Sequence, residues 1–431
     1  MMRLHDSSAI FIVVFVLFSF QTTVALVQNV CEPIGTEPSN ATRSCANQEQ
    51  DHIVERTKRL ELILADDYET LDPTLPNSIA EIKKRGGHRC WHKHNTFIDH
   101  LLGVHNILHL WGENEIAGRV GLLHSAYSNS YVNLALFDPN DAEEREVMKR
   151  LIGEEAEEIV YLFCIIDRQS IVVDTLLKNG VIPQDGLDVP HLRDENVTVH
   201  LTAEILRLLL IFTIADISDQ YFGWQDDLFG GAGINTGTEA RWTNSMLLPG
   251  EDDLSQHHSQ SLWPGPSRPG LWMSYASQLC KVVKTFQNTT SSATLDIKTI
   301  VPPIFDYCSE ILTRENEMMA IDLYWEVINS GPISSEEVIE KLESAAALNP
   351  WFFESQVLLA QKYLHMNDNV KAKVATERAL GLQRDWGTSY DKRMSFPAWV
   401  AWTRVLYARA VQNEGWPTNS WDVNNFGMVP P

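Results

Sequence analysis

Thr96-Phe-Ile-Asp-His-Leu-Leu-Gly-Val-His-Asn-Ile-Leu-His-Leu-Trp111 carries the clearest helical pattern in the chain. Phe97, Leu101 and Leu108 recur at helical spacing, which places them on one face of an α-helix. Gly112 follows at a position where helices commonly end. The pattern predicts a helix over residues 96–111 whose apolar face packs into a core.

Helical patterns continue on both sides of this segment, whereas Asp167 to Asn196 is irregular. Apolar residues recur with the period of an α-helix in four further stretches. These stretches are Asp51 to Ala65, Glu115 to His124, Gly153 to Ile166 and Val199 to Gln220. The fold class predicted from these patterns is mainly α.

The C-terminal part changes character and resembles tetratricopeptide-type helical hairpins. Asn349-Pro350 joins the first two of three predicted helices, which are Glu336 to Leu348, Glu354 to His365 and Val370 to Leu382. About one and a half repeat units are visible, whereas a free-standing array needs about three. We therefore expect this region to pack against the preceding domain.

These patterns divide the chain into five parts. The predicted order is a signal peptide or signal anchor (1–27), a polar tether (28–50), a helical domain (51–240), a loop-rich connection with helices (241–330) and the helical C-terminal region (331–431). Within the connection and just before it, the glycine-rich segment 229–237 and the proline-containing segment 249–269 are interpreted as loops.

The composition fits a globular protein and argues against nucleic-acid binding. The 431 residues are 44% hydrophobic and 21% charged, which are ordinary globular values. Because 57 acidic residues face 34 Lys and Arg, the formal net charge is -23. Such a field repels phosphate backbones and anionic membranes. A local basic pocket can still bind one small phosphate.

The N-terminus predicts entry into the secretory pathway, with the mature protein secreted or lumenal. Arg3 precedes an apolar run from Ala9 to Phe20 and then smaller residues, which is the order of a signal peptide. Counted through Val27, the run approaches the length of a membrane span, so an uncleaved anchor is the alternative. A disulfide between the first two cysteines, and three glycosylation sequons at Asn40, Asn196 and Asn288, would suit that compartment. Cys164, in an apolar run, is interpreted as a buried thiol.

Three short motifs resemble those of the HD-type metal-dependent hydrolases. They are Ile98-Asp-His-Leu-Leu, Gly121-Leu-Leu-His-Ser and Ile214-Ala-Asp-Ile-Ser-Asp. HD-type domains hold metal with a histidine on one helix, a His-Asp pair that ends another and an aspartate on a later helix. The resemblance implies that His100, His124 and Asp216 bind a divalent metal ion. It also implies an HD-like helical bundle for the first domain.

The resemblance spans roughly residues 96–220 and is closest to an uncharacterised HD-like family. Members of that family pair a Gly-Leu-Leu-His-Ser-Ala-Tyr motif with a downstream Gly-Glu-Glu-Ala-Glu segment. In this chain the two motifs are Gly121 to Tyr127 and Gly153 to Glu157. The chain departs from the HD pattern at Ser125, where aspartate is expected. A hydroxyl is a far poorer ligand than a carboxylate. One ion, which could be Fe, Mn, Mg or Zn, is therefore expected in place of two.

Asp216 is stronger evidence for a metal site than the two histidines are. His100 and His124 could equally be hydrogen-bonded core residues, but an aspartate in the apolar run from Leu206 to Ile217 is costly to bury without a cation or donors. The remaining histidine groups, at 88, 92 and 94 and at 105 and 109, are interpreted as solvated or capping side chains.

Three functions remain compatible with the sequence, which contains no Gly-x-Ser-x-Gly, HExxH or Walker motif. The first is hydrolysis of a small phosphorylated substrate, in which Ser125 or Tyr127 orients the substrate and Arg168 faces the phosphate. The second is an HD-like iron oxygenase. The third is a degenerate scaffold that binds a protein partner through the C-terminal helices and their tryptophans, including those at 386, 399 and 402.

Overall fold

Helices form most of the residues that the computed structural model describes, which are 40–128, 135–220, 272–286, 312–329 and 334–419. The predicted signal or anchor, Cys31, the sequon at Asn288 and both loops predicted between 229 and 269 lie outside these ranges. The mainly α fold class is confirmed.

The N-terminal half contains eight α-helices and two short hairpins among the described residues. In chain order they are α1 (Asn40–Leu64), α2 (Tyr68–Leu71), α3 (Leu75–Lys84), β1 (Trp91–His92), β2 (Asn95–Thr96), α4 (Phe97–Trp111), α5 (Glu115–Leu123), α6 (Ala142–Ile152), α7 (Glu154–Ile165), β3 (Leu187–His191), β4 (Asp194–Leu201) and α8 (Ala203–Gln220). A 3-10 helix (Gly87–Arg89) precedes β1, and a π-helix (Ser170–Leu177) follows α7.

Six further helices follow in the described part of the C-terminal half. They are α9 (Met273–Val283), α10 (Arg314–Asn329), α11 (Ser335–Leu348), α12 (Phe353–His365), α13 (Asn369–Trp386) and α14 (Phe396–Gln412). From α10 onwards, each helix packs on the next one along the chain. The tetratricopeptide resemblance itself stays a prediction.

The central helix α4 forms as the sequence predicts. Thr96 caps its N-terminus by accepting from the backbone of Asp99, and the Asp99 side chain bonds back to the Thr96 backbone. Gly112 ends the helix in the left-handed conformation, at φ 93°. The apolar face is buried, so both ends and the packed side of this helix are set by local sequence.

Three segments differ from the sequence prediction. Val199 to Leu201 belong to β4, so α8 begins at Ala203, because β-branched residues fit the pleated hairpin in which Val189 pairs with Val199. The segment interpreted as irregular contains the π-helix and β3. Helix α1 begins at Asn40, inside the segment predicted as a tether, because no Pro or Gly interrupts residues 40–64.

The C-terminal helices dock onto α4, as expected for a region too short to stand alone. The indole Nε1 of Trp111 donates to the carbonyls of Asp385 (3.1 Å) and Trp386 (3.2 Å). Gly387 ends α13 at φ 73°, and a Cβ there would lie 2.7 Å from Leu110 Cδ2. Among the described residues, those from Arg59 onwards belong to one compact unit, and residues 40–58 belong to another.

None of the helices in the described ranges is both long enough and apolar enough to cross a membrane. The N-terminal apolar run, which is the predicted signal or anchor, lies outside those ranges.

Replacing Gly387 by alanine tests the docking. Gly180 also has a positive φ of 68°, but a Cβ there would meet nothing within 4 Å. Gly180→Ala should therefore cost about 1 kcal/mol of unfolding free energy, from backbone strain alone. Gly387→Ala should cost about 1–3 kcal/mol more, because the added methyl overlaps Leu110. Equal losses in denaturant titrations of the two variants would contradict the close docking.

Candidate metal centre

His100 lies in the first turn of α4 between two carboxylates of α8. Its Nδ1 is 2.7 Å from Asp219 Oδ2, and its Nε2 is 3.3 Å from Asp216 Oδ1. Asp216 and Asp219 are three residues apart and therefore share one side of α8. The Asp219 contact fixes the rotation of the ring and directs Nε2 towards Asp216.

His124 follows the last turn of α5, and its ring is fixed by its own helix. Its Nδ1 lies 2.7 Å from the carbonyl oxygen of Gly121. A carbonyl can only accept, so Nδ1 carries the proton and Nε2 keeps its lone pair. That Nε2 lies 3.8 Å from Asp216 Oδ1.

The three predicted ligands thus converge. One ligand atom from each of His100, His124 and Asp216 can be chosen so that all lie within 4.8 Å of one another. Both imidazoles are buried, whereas the Asp216 side chain keeps 16% exposure. The group could hold a metal ion that is reached from the Asp216 side. Within the described ranges, no other set of three His, Cys, Asp or Glu side chains has this property.

The charges in the centre depend on these contacts. Burial alone would lower the pKa of His100, but its bonds to Asp216 and Asp219 raise it to about 9. Burial lowers the pKa of His124 to about 3. The pKa of Asp216 lies below its ordinary value despite burial, because His100 bonds to it and positive charges surround it. A metal ion would therefore displace the proton that His100 carries.

A glycine allows α4 and α8 to come close enough for these contacts. A Cβ at Gly103 would overlap the carboxylate of Asp219. Gly121 has the same role between α4 and α5, where a Cβ would lie 2.7 Å from Leu108 Cδ1. The helices that carry the three ligands therefore contact one another at glycines, where there is no room for a side chain.

Two histidines interpreted as solvated or capping border the centre. The His92 ring lies 4.6 Å from that of His100, and its Nε2 is 2.8 Å from Gln220 Oε1. Gln220 donates in turn to Asp216 Oδ1 at 2.8 Å. Burial lowers the pKa of both His92 and His94 to about 4. His92 and His94 are half-buried rather than fully solvated. The interpretation as solvated or capping is wrong for His105, which is 1% exposed within α4.

Sequence spacing alone places Asp219 and the two bordering histidines near the predicted ligands. Asp219 follows Asp216 by three residues, which is one turn of the same helix. His92 and His94 precede the helix that carries His100 by only a few residues. Each of these spacings is local in sequence. To interpret it, however, one must know where the helices begin and end.

The other predicted site residues are divided between this centre and a second cluster. Arg168 is buried and its charge acts on His124 and Asp216. Ser125 directly follows His124 and is buried. Tyr127 instead donates its hydroxyl to Glu157 (2.7 Å), which Arg145 also binds. We therefore leave Tyr127 out of the proposed site.

Two of the C-terminal tryptophans belong to the core. Trp386 is 1% exposed and Trp399 is 5% exposed. Their indole nitrogens donate to backbone carbonyls of Trp351 and Asp391. Burial removes these two side chains from any surface that a partner could contact. Cys164 is also buried, as its apolar surroundings predict.

Comparison with known proteins adds one match. The model of a family described as a domain of unknown function (DUF6817) matches residues 81–168. The matched segment includes α4, α5 and α7, and thus His100, His124 and Arg168, and it ends before α8. No curated protein and no solved structure matches the chain.

Neutralising the two aspartates should separate their roles. Asp216→Asn should abolish metal binding, because it removes an anionic ligand. Asp219→Asn should weaken Co²⁺ binding about 10- to 100-fold, the usual loss when a group that orients a ligating histidine is changed. Competitive chelator titration measures both affinities. The control is Asp185→Asn in an exposed loop, and an unchanged affinity for Asp219→Asn would contradict the orienting role.

Proposed function

We propose that this chain is an HD-like protein that binds one divalent metal ion through His100, His124 and Asp216 and hydrolyses a small phosphorylated compound. One observation carries the proposal. Both imidazoles are held through Nδ1, by Asp219 and by the Gly121 carbonyl, while Nε2 of each ring faces Asp216. Metal-binding histidines are commonly oriented by such a bond at the second ring nitrogen.

The donor set fits one ion better than two. Two imidazoles and a carboxylate are three protein ligands, the number that leaves an open position in catalytic sites. Ser125 offers only a neutral hydroxyl where HD-type proteins have a second carboxylate. Its position next to His124 suits a residue that hydrogen-bonds the substrate.

Arg168 supports a phosphorylated substrate. A divalent ion, when bound, would lower the pKa of a bound water and polarise a phosphoryl oxygen. The guanidinium of Arg168, together with His100, acts electrostatically on both His124 and Asp216. Guanidinium groups bind phosphate oxygens in pairs. Arg168 would hold the phosphate while the Asp216 side of the centre admits water.

An iron oxygenase is the second candidate, and the same donor set favours it. Two histidines and one carboxylate with open positions are the ligands of non-haem iron oxygenases. The two enzymes differ in the metal that they need and in oxygen consumption. A non-catalytic scaffold is the third candidate, and it predicts partner binding without metal.

Metal analysis of the full-length protein separates the three candidates. We expect near-stoichiometric metal in the wild type and in the control His52→Ala, whose side chain is exposed, and loss of metal in His124→Ala. We also expect hydrolysis within a panel of small phosphoesters, and its loss in His124→Ala.

Each contrary result points to one alternative. A fully metallated protein that is inactive on the whole panel would rule out the hydrolase. Iron together with oxygen consumption would establish the oxygenase. Absence of metal after reconstitution with Fe, Mn, Mg and Zn salts would leave the scaffold.

We further propose that the chain enters the secretory pathway. Asn196 of the Asn-Val-Thr sequon is exposed in β4, so an oligosaccharide can be accommodated there. The N-terminal apolar run supports the same route.

Removal of the sequon tests this route. In a secreting eukaryotic host, Asn196→Gln and Thr198→Ala should each remove one glycosidase-sensitive increment of apparent mass. Asn140→Gln, at an asparagine outside any sequon, should leave the mass unchanged. Wild-type protein that is insensitive to the glycosidase would contradict lumenal exposure of this hairpin.

A further inference from the structure

The segment between α13 and α14 reaches the C-terminal end of α8. Lys392 Nζ donates to the carbonyl oxygen of Ser218 at 3.0 Å and to Thr388 Oγ1 at 2.7 Å. The Thr388 hydroxyl also lies 3.4 Å from the Ser218 oxygen. An ammonium from the C-terminal region is therefore placed on the helical turn that carries Asp216 and Asp219.

We propose that Lys392 is a positioning residue of the candidate metal centre, which it serves by compensating the charge of Asp219 and anchoring the last turn of α8. The inference rests on the proposed metal binding. It assigns the C-terminal helical region a part in the site itself, so that the centre is incomplete without it.

The need for a cation follows from the way His100 would bind metal. An imidazole that ligates through Nε2 is neutral, so it offers Asp219 one hydrogen bond from Nδ1 but no positive charge. Asp219, whose side chain is 15% exposed, would then be a largely desolvated carboxylate without an ionic partner on α4, which is costly. Lys392 provides the missing charge, because its ammonium bonds to the carbonyl oxygen of Ser218, the residue next to Asp219.

His94 and His100 are the other titratable groups that act on Asp219. Burial keeps the pKa of His94 at about 4, so it is neutral near pH 7. Burial also lowers the pKa of Lys392, to about 8, which leaves its ammonium mostly protonated near pH 7. Lys392 is therefore the positive charge that stays near Asp219 when His100 is neutral.

The backbone around Lys392 is fixed by buried contacts. The backbone nitrogens of Tyr390 and Asp391 donate to Glu354 Oε1 at 2.7 and 3.0 Å. The Asp391 carboxylate accepts from Tyr324 at 2.8 Å and from Arg393. At the other end, Gly387 is packed against Leu110 of α4. These contacts place the lysine before any metal is bound.

Co²⁺ titration of the full-length protein tests the proposal, since Co²⁺ absorption also reports ligand geometry. Lys392→Met should weaken Co²⁺ binding about 10- to 100-fold, the range for groups that support a metal ligand, and should change the absorption spectrum. Lys392→Arg keeps the charge and should restore most of the affinity. Lys362→Met, on α12, is the matched control and should bind as the wild type does.

The outcomes distinguish this inference from the proposed function. Wild-type affinity and spectrum in folded Lys392→Met would overturn the inference and leave the metal centre standing. No Co²⁺ binding by the wild type would overturn the metal centre itself. If Lys392→Met does not fold, Thr388→Val replaces it, because that variant removes only the hydroxyl that orients the ammonium. A smaller loss of affinity with an altered spectrum is then expected, and wild-type behaviour would overturn the proposal.

Discussion

The hydrogen bond between His100 and Asp219 is the contact on which the candidate site depends. It joins the first turn of α4 to the last turn of α8 at 2.7 Å, and it requires Gly103 because any side chain there would overlap the carboxylate. With the ring fixed at Nδ1, Nε2 can only face Asp216. A single close helix crossing therefore sets the position of one ligand relative to another, and α5 then brings His124 to the same carboxylate.

The same helix α8 is held at its other end by a buried ion pair. Arg207 donates to both carboxylate oxygens of Glu113, at 3.1 and 2.7 Å, and Glu113 lies in the connection between α4 and α5. Removing one partner of such a pair would leave an uncompensated buried charge. Because both ends of α8 are tied to α4 and its neighbours by ionic groups, Asp216 between them has little freedom to move. Rigidity of that kind is what a preorganised metal site requires.

The parts that the sequence predicted are those encoded locally. Thr96, Asp99 and Gly112 define α4 within a few residues of its ends, and the order of the three ligands follows from motifs that lie on separate helices. The missed parts join distant segments: His92 meets Gln220 128 residues further on, and Lys392 meets Ser218 174 residues before it. The hairpin from β3 to β4 was missed because Pro190 and an irregular register interrupt its alternation. Tyr127 was predicted as a site residue from its place in a motif. The motif did not reveal that the Tyr127 hydroxyl donates to Glu157, which also accepts from Arg145.

Ser125 affects the net charge of the candidate metal centre as well as the number of its ligands. The two carboxylates of α8, Asp216 and Asp219, are matched by two cations from other parts of the chain, Arg168 and Lys392. His100 adds a proton to this set, and a divalent ion that displaced it would leave the centre positive, which would favour an anionic substrate inside a protein whose net charge is -23. An aspartate in place of Ser125 would cancel part of that charge unless a second ion came with it. The serine is therefore consistent with the proposed centre, which would attract one anion with one metal ion. In that proposal Arg168 would select among anions, because a desolvated guanidinium discriminates by geometry as well as by charge.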